Sequence, residues 1–248
     1  MFIIGGVQKC SMIDFPQKVA AVVFTQGCNF RCGYCHNPSL INFPSHSVDF
    51  GTKLCRSFAN AQDDKLKYTC KNFLSFLQTR KGKLDGVVIS GGEPTLQLGL
   101  YNFIKEIKQM EFAVKLDTNG TNLQMLEELI NDNLLDYVAM DIKAPIEKYD
   151  SITGVKTAKD NVLKSIDLIK NCGVEYEFRT TVVKSLLSME DIEKIGRLIC
   201  GSKRYYLQKF VASKIYDESL HNAQTYTDCE FEALCESLKK YIDIVEYR

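Results

Sequence analysis

Six short apolar runs alternate with segments of helical period along most of the chain. The runs begin near positions 18, 85, 112, 135, 174 and 204, and most are rich in β-branched or aromatic residues. Between them, apolar residues recur three and four positions apart, as at Leu100, Phe103, Ile104 and Ile107. This alternation predicts an α/β fold with parallel strands and crossover helices. Six units favour an incomplete barrel or an open sheet over a closed eight-fold barrel.

Length and composition favour one large domain. The chain has 248 residues, of which 45% are hydrophobic. We expect a single domain over 1–248, with a core at about 17–212 and a C-terminal helical segment at about 226–248. The stretch at about 51–70 is polar and lacks periodicity, so it is predicted to be an insertion, more simply a solvated one than a lid. Its Cys55 and Cys70 are weak evidence for a further metal.

The charge balance and the N-terminus bear on partners and location. Acidic and basic residues number 31 each, and no long run of one sign suggests a nucleic-acid or membrane partner. The first residues lack a basic stretch followed by a long apolar one, and no apolar run reaches the roughly 20 residues that span a bilayer. We therefore predict a cytoplasmic protein. In a reducing compartment, clustered thiols are metal ligands or catalytic groups more often than disulfides.

Three of the ten cysteines, Cys28, Cys32 and Cys35, lie in the loop that follows the first predicted strand. A structural zinc site needs a fourth ligand, and His36 is poorly suited because adjacent residues rarely point at one ion. A cubane iron-sulfur cluster spreads its ligand positions over four irons, so three thiolates can hold three corners. The remaining iron would then be open to a substrate.

Further polar motifs follow the later strands. They are "SGGEP" at 90–94, "DTNG" at 117–120, "DIKAP" at 141–145 and "RTT" at 179–181. In parallel α/β folds this edge of the sheet binds ligands. The glycine pair would let backbone carbonyls approach a ligand, and Glu93 could complement an ammonium group. Alternatively, Asp117 and Asn119 cap the next helix, and Lys143 and Arg179 pair with neighbouring carboxylates.

These motifs together resemble a known superfamily. Cys-x3-Cys-x2-Cys, with Tyr34 before the last cysteine, resembles the signature of the radical S-adenosylmethionine (SAM) enzymes. "QGCNFRCGYCHNP", "LDTNG" and "MDIKAP" resemble the activating enzymes of glycyl radical enzymes, such as those for pyruvate formate-lyase and anaerobic ribonucleoside-triphosphate reductase. With "QKCSMIDFP" and "YEFRTTVV", the chain is most similar to activators of the latter. One departure is "DFPQ" at 14–17, where pyruvate formate-lyase activators carry Asp-Gly-Pro-Gly.

The resemblance implies a partial (β/α)6 TIM-like barrel with a C-terminal helix, and a site at its mouth. Cys28, Cys32 and Cys35 would hold one [4Fe-4S] cluster, whose fourth iron SAM chelates. In relatives the two aspartates that match Asp117 and Asp141 help to bind a monovalent cation. The other positions expected near SAM are Tyr34, His36, Asn37, Ser90, Gly91, Gly92, Glu93, Thr118, Lys143, Arg179 and Thr181.

The implied activity is reductive cleavage of SAM to a 5′-deoxyadenosyl radical, which generates a glycyl radical on a partner enzyme. The expected partner is an anaerobic ribonucleoside-triphosphate reductase, and the expected electron donor is of flavodoxin or ferredoxin type. Two alternatives stay open. One is a radical SAM enzyme that acts on a small molecule, similar to 7-carboxy-7-deazaguanine synthase. The other is a structural zinc-binding module, which would need none of the motifs that follow the later strands.

Overall fold

Eight strands form one sheet whose spatial order is their order along the chain, in a computed structural model that describes residues 2–43 and 69–248. The first strand is antiparallel to the second, and each later neighbour pair is parallel. The strands are β1 Ile4–Ser11, β2 Ala20–Thr25, β3 Gly86–Gly91, β4 Ala113–Thr118, β5 Tyr137–Asp141, β6 Glu175–Val182, β7 Ser202–Lys209 and β8 Ile242–Tyr247. The predicted α/β fold is confirmed, and its six strands are β2 to β7.

Helices connect the parallel strands and bury their apolar faces. They are α1 Cys70–Gln78, α2 Leu100–Gln109, α3 Leu123–Asn131, α4 Tyr149–Thr153, α5 Lys159–Asn171, α6 Met189–Leu198 and α7 Asp228–Leu238. In α2 the buried residues are the four that the period had indicated, Leu100, Phe103, Ile104 and Ile107. Burial of these faces against the sheet drives the packing, because apolar area removed from water stabilises the fold.

The two outer strands were not predicted. β1 carries two glycines and several polar residues, so its sequence lacks an alternating apolar pattern. The expected helical segment at 226–248 is wrong in its last part, because the helix ends at Leu238 and β8 follows. In β8 the buried residues are Ile242 and Val245, whose spacing of three mimics a continued helix.

The two faces of the sheet differ in polarity. In β4, Val114 and Leu116 pack into the large core beneath the helices, whereas Lys115 and Asp117 lie on the opposite, inner face. Near the amino ends of the strands, Phe15 joins a second small apolar cluster on the inner face. Toward the carboxyl ends the inner face is polar, so a ligand site is expected there.

Part of the predicted insertion, including Cys55, lies outside the described residues, whereas Cys70 begins α1. No helix in ranges 2–43 and 69–248 combines the length and the apolar composition needed to cross a bilayer.

Candidate functional site

The cysteine motif occupies the loop that follows β2. The backbone N–H of Cys28 donates to the carbonyl of Ile41 at 2.9 Å, and that of Cys35 donates to the carbonyl of Cys32 at 3.0 Å. All three thiols are free of disulfides. Cys32 is buried, and Cys28 and Cys35 are partly buried. The loop therefore presents three reduced sulfur ligands at one edge of the sheet.

More distant backbone groups hold the same loop. The N–H of Arg31 donates to the carbonyl of Thr153 at 2.7 Å, and the N–H of Asp217 donates to the carbonyl of Gly33 at 2.9 Å. A Cβ atom on Gly33 would lie 3.1 Å from Leu220, which packs beside it. The segment after β7 thus covers one side of the cysteine loop.

Burial governs the thiol chemistry of the loop. It raises the pKa of Cys28 to about 12, although the N–H of Phe30 donates to the sulfur. Burial also raises the pKa of Cys32, against the charge of Lys143. Within the described ranges, no three His, Cys, Asp or Glu side chains are grouped to hold one metal ion. A structural zinc ion needs four ligands around one point, whereas a cubane cluster spreads its ligand positions over four irons.

Two glycines allow the loop after β3 to pack closely against the cysteine loop. The N–H of Gly92 donates to the carbonyl of Thr25 at 2.9 Å, and the N–H of Glu93 donates to the carbonyl of Gly27 at 2.8 Å. A Cβ atom on Gly92 would lie 2.1 Å from the carbonyl oxygen of Gly27. Gly91 has φ +116°, which other residues rarely adopt. Both glycines therefore permit a close approach between two backbone segments.

The carboxylate of Glu93 is buried and accepts four hydrogen bonds from the chain. The donors are the N–H and hydroxyl of Thr95 at 3.1 and 2.6 Å, the hydroxyl of Thr118 at 2.8 Å and the N–H of Asn119 at 2.7 Å. Burial raises the pKa of Glu93, and these donors oppose that shift. All four donors belong to the chain itself, and the expected pairing of the carboxylate with a ligand ammonium stays a prediction. The contacts of Glu93 join the loops that follow β3 and β4.

A chain of amide groups links the loop after β4 to the cysteine loop. The side-chain nitrogen of Asn119 donates to the Asn29 amide oxygen at 2.9 Å, and the Asn29 nitrogen donates to the Thr121 hydroxyl at 2.8 Å. Asn29 and Thr121 were not predicted as site residues, although Asn29 lies within the cysteine motif and Thr121 follows "DTNG". Helix α3 is capped by Asn122, not by Asp117 or Asn119 as one alternative supposed.

Two aspartates on the inner face share three cationic side chains. Asp117 lies 2.6 Å from the Lys115 ammonium and 3.4 Å from the Arg179 guanidinium. Asp141 lies 2.8 Å from Arg179 and 3.1 Å from Lys143. Asp141 and Arg179 lie side by side because the register of the sheet pairs them across β5 and β6. The alternative that Lys143 and Arg179 pair with neighbouring carboxylates therefore describes this structure.

These charges set the protonation of the site. Burial alone would raise the pKa values of Asp117 and Asp141, but nearby Arg179, with Lys115 and Lys143 respectively, holds both below their usual range. The carboxylates in turn raise the pKa values of Arg179 and Lys143 against the effect of burial. The two aspartates, Arg179 and Lys143 are therefore charged at neutral pH.

Lys115 and Glu177 were missed by the sequence analysis. Glu177 accepts hydrogen bonds from the hydroxyl of Tyr137 at 3.0 Å and from Arg248 at 2.8 Å. The available signal at both positions was a charged residue between two large apolar neighbours in a predicted strand, since charged residues are seldom buried unless they are paired.

The remaining expected positions differ in their surroundings. Tyr34 is 4% exposed, and its hydroxyl has no hydrogen-bond partner among the described residues. His36 is exposed, with its ring centroid 5.8 Å from that of Phe210, and Asn37 is exposed beside it. Ser90 donates to Asp117 at 3.0 Å. Thr181 lies on β6 two residues beyond Arg179, hence on the same face.

Comparison with known proteins gives concordant results. The family model of the radical SAM superfamily matches residues 22–199. A Methanocaldococcus jannaschii protein provisionally named a glycyl-radical enzyme activating enzyme is 35% identical over 99% of this chain and 95% of its own length. The pyruvate formate-lyase-activating enzyme of Clostridium pasteurianum is 30% identical over 79% of this chain and 75% of its own length.

Among solved structures, Streptococcus suis SuiB bound to S-adenosylmethionine has a TM-score of 0.64 at 16% identity. The match covers 90% of this chain but 48% of SuiB, and it supports the fold, a partial TIM-like barrel. The family match, the cysteine loop and this fold lead to one assignment. The chain belongs to the radical SAM superfamily, whose members use a [4Fe-4S] cluster and S-adenosylmethionine.

Proposed function

We propose that this chain is an activating enzyme that generates a glycyl radical on an anaerobic ribonucleoside-triphosphate reductase. The observation that carries the proposal is the 35% identity, over nearly the full length of both chains, to the M. jannaschii protein named for glycyl-radical enzyme activation. The choice of partner is supported by the motifs that resemble activators of this reductase. It is also supported by "DFPQ" at 14–17, which departs from the pattern of pyruvate formate-lyase activators.

The residues at the mouth of the barrel fit a cluster and SAM. Cys28, Cys32 and Cys35 offer three free thiols, and they would hold the cluster. The buried Tyr34 hydroxyl lacks a partner among the residues described, and a buried polar group of this kind is satisfied by a ligand or water in most proteins. When bound, the cluster and SAM supply a one-electron reductive cleavage that yields an abstracting radical.

The chain itself contributes position and shielding. The cysteine loop accepts hydrogen bonds from the N–H groups of Glu93 and Asp217 and donates one to the carbonyl of Thr153, so three other segments hold its position. The ion pairs of Asp117, Asp141 and Arg179 line the polar inner face next to it. A frame of this kind favours one target hydrogen and limits the access of water.

The open sheet suits a macromolecular substrate. In the described ranges β1 and β8 each pair with one neighbour and not with each other, so the sheet does not close. A partner segment can therefore approach the inner face from the side. Glycine is suited to such a segment, since it has no side chain and tolerates unusual backbone angles.

The test combines the reconstituted protein with the anaerobic ribonucleoside-triphosphate reductase of the same organism. Under anaerobic conditions, with dithionite and SAM, we expect a glycyl radical signal in electron paramagnetic resonance and one 5′-deoxyadenosine for each radical formed. Two controls are a reductase whose target glycine is alanine and the Cys32→Ser variant of this chain. Neither should give the signal.

Other outcomes would redirect the assignment. SAM cleavage without any radical on the reductase would contradict the proposed partner and favour a small-molecule substrate. Failure to assemble a cluster that responds to SAM would contradict the activity itself. A flavodoxin or ferredoxin donor and a cytoplasmic location stay predictions, and replacing dithionite by a purified flavodoxin system tests the donor.

A further inference from the structure

Lys115 is a buried lysine at the centre of the inner face. It is 2% exposed, and it lies on β4 two residues before Asp117, so both side chains project from the same face. Its ammonium is 2.6 Å from one carboxylate oxygen of Asp117, Oδ1. Lysine is almost never fully buried unless it is paired, so the ammonium and this carboxylate form one unit.

The carboxylate oxygens of the two aspartates all have partners from the chain. Oδ1 of Asp117 faces Lys115, and Oδ2 lies 3.0 Å from the Ser90 hydroxyl and 3.4 Å from Arg179. Oδ1 of Asp141 accepts from Arg179, and Oδ2 lies 3.1 Å from Lys143. Arg179 also lies 3.9 Å from Glu177, which Arg248 contacts at 2.8 Å. With this pair included, four cations face three carboxylates, an excess of one positive charge.

This arrangement does not fit the monovalent cation that the resemblance implied between Asp117 and Asp141. An alkali cation is held by oxygen lone pairs, as other hard cations are, and here each of the four carboxylate oxygens already has an ammonium, guanidinium or hydroxyl partner. Adding a cation would also raise the local excess from one positive charge to two, inside a buried site where charge repulsion is weakly screened.

We propose that the ammonium of Lys115 takes the place of the monovalent cation at Asp117, while Arg179 bridges Asp117 and Asp141, so that the SAM site of this chain does not require Na⁺ or K⁺. Lys115 is then a positioning residue that acts on the ligand through Asp117. Removal of its charge while the apolar stem is kept, as in Lys115→Met, should create a need for an alkali cation. Lys115→Arg should not, because it keeps the charge.

The first test follows thermal unfolding of the protein without cluster or SAM in KCl, NaCl or tetramethylammonium chloride at equal ionic strength. Tetramethylammonium is too large for the site and cannot enter it. The wild type should unfold at the same temperature in all three salts. Lys115→Met should be less stable in tetramethylammonium and be restored by K⁺ or Na⁺. Lys108→Met, which breaks the more exposed pair of Lys108 with Asp136, should be indifferent to the identity of the salt.

The opposite results overturn the proposal. Stabilisation of the wild type by K⁺ or Na⁺ over tetramethylammonium would mean that an alkali cation still binds. If Lys115→Met unfolds at the same temperature in the three salts, or does not fold in any of them, a cation cannot replace the ammonium. This unfolding test needs no activity, so it decides the point even where the proposed function fails.

The second test rests on the proposed function and measures SAM affinity of the reconstituted enzyme in the same salts. The wild-type Kd should be unchanged among them. For Lys115→Met in tetramethylammonium we expect about tenfold weaker binding, recovered by K⁺ or Na⁺, because one unpaired charge typically shifts a neighbouring equilibrium by about one log unit. A wild-type Kd that weakens in tetramethylammonium would refute the proposal.

Discussion

Replacing Glu93 by glutamine should lower stability while leaving ligand binding nearly intact. Glu93 Oε1 accepts three hydrogen bonds, two from Thr95 and one from Thr118, and Oε2 accepts one from the N–H of Asn119. The amide oxygen of glutamine can keep the first three. Its NH2 group would then face the N–H of Asn119, donor against donor, so one hydrogen bond to a charged acceptor is lost in a buried position.

The magnitude follows from that count. A hydrogen bond to a charged group contributes about 1.5–3 kcal/mol, and we expect a loss of about 2 kcal/mol. For a chain of this size the corresponding decrease in Tm is about 4–8 °C. The assay is thermal unfolding of the apo protein by circular dichroism, with Glu127→Gln on the exposed side of α3 as the matched control. The control should stay within about 0.5 kcal/mol of the wild type.

The competing idea makes a different prediction. If the carboxylate of Glu93 met the ammonium of a ligand instead of the chain, Glu93→Gln would unfold like the wild type and bind SAM far more weakly. That result would refute the assignment of Glu93 as the link between the loops after β3 and β4.

Three further substitutions test the rest of the site. Gly92→Ala should lower the free energy of unfolding by several kcal/mol and loosen the cysteine loop, since its Cβ would lie 2.1 Å from a backbone oxygen. The control Gly82→Ala has open space around it and should lose only about 1 kcal/mol because of its positive φ. Chemical denaturation compares the two variants. Tyr34→Phe should leave the stability of the apo protein unchanged or slightly higher, because the hydroxyl has no partner among the described residues. Calorimetry measures the Tm, and a clear decrease would contradict this prediction. The pKa of Asp141 is lower in the folded protein than its value of 3.8 in the unfolded chain, so its ionised form stabilises the fold above about pH 3.8 and this contribution is lost as the pH falls. The difference in unfolding free energy between wild type and Asp141→Asn should therefore decrease in acid. A difference that increases would contradict the ion pairing.

The sequence predicted the parts of the fold that depend on local pattern. The apolar faces of α2 and α6 follow from helical periodicity, and the strands β2 to β7 follow from short apolar runs, most of them rich in β-branched or aromatic residues. The outer strands depend on pairing with residues far along the chain. A pattern within eight residues contains too little of that information, so β1 was missed and β8 was assigned to a helix.

For the site, the sequence predicted positions better than roles. The motif around Glu93 was recognised, yet which atoms its carboxylate meets depends on how the loops after β3 and β4 come together. Lys115 was overlooked since its importance arises only when β4, β5 and β6 bring Asp117, Asp141 and Arg179 side by side. Tertiary placement of this kind is not encoded in spacing.

The anchors of the cysteine loop also have a consequence for biosynthesis. Arg31 and Gly33 bond to Thr153 and Asp217, which the ribosome makes much later than the loop itself. Contacts of such long sequence separation form slowly, because a large loop must close before they do. We therefore expect the three thiols to take their final arrangement only when most of the chain has emerged. Iron delivery would then follow folding, and a nascent chain halted before Asp217 should load iron poorly.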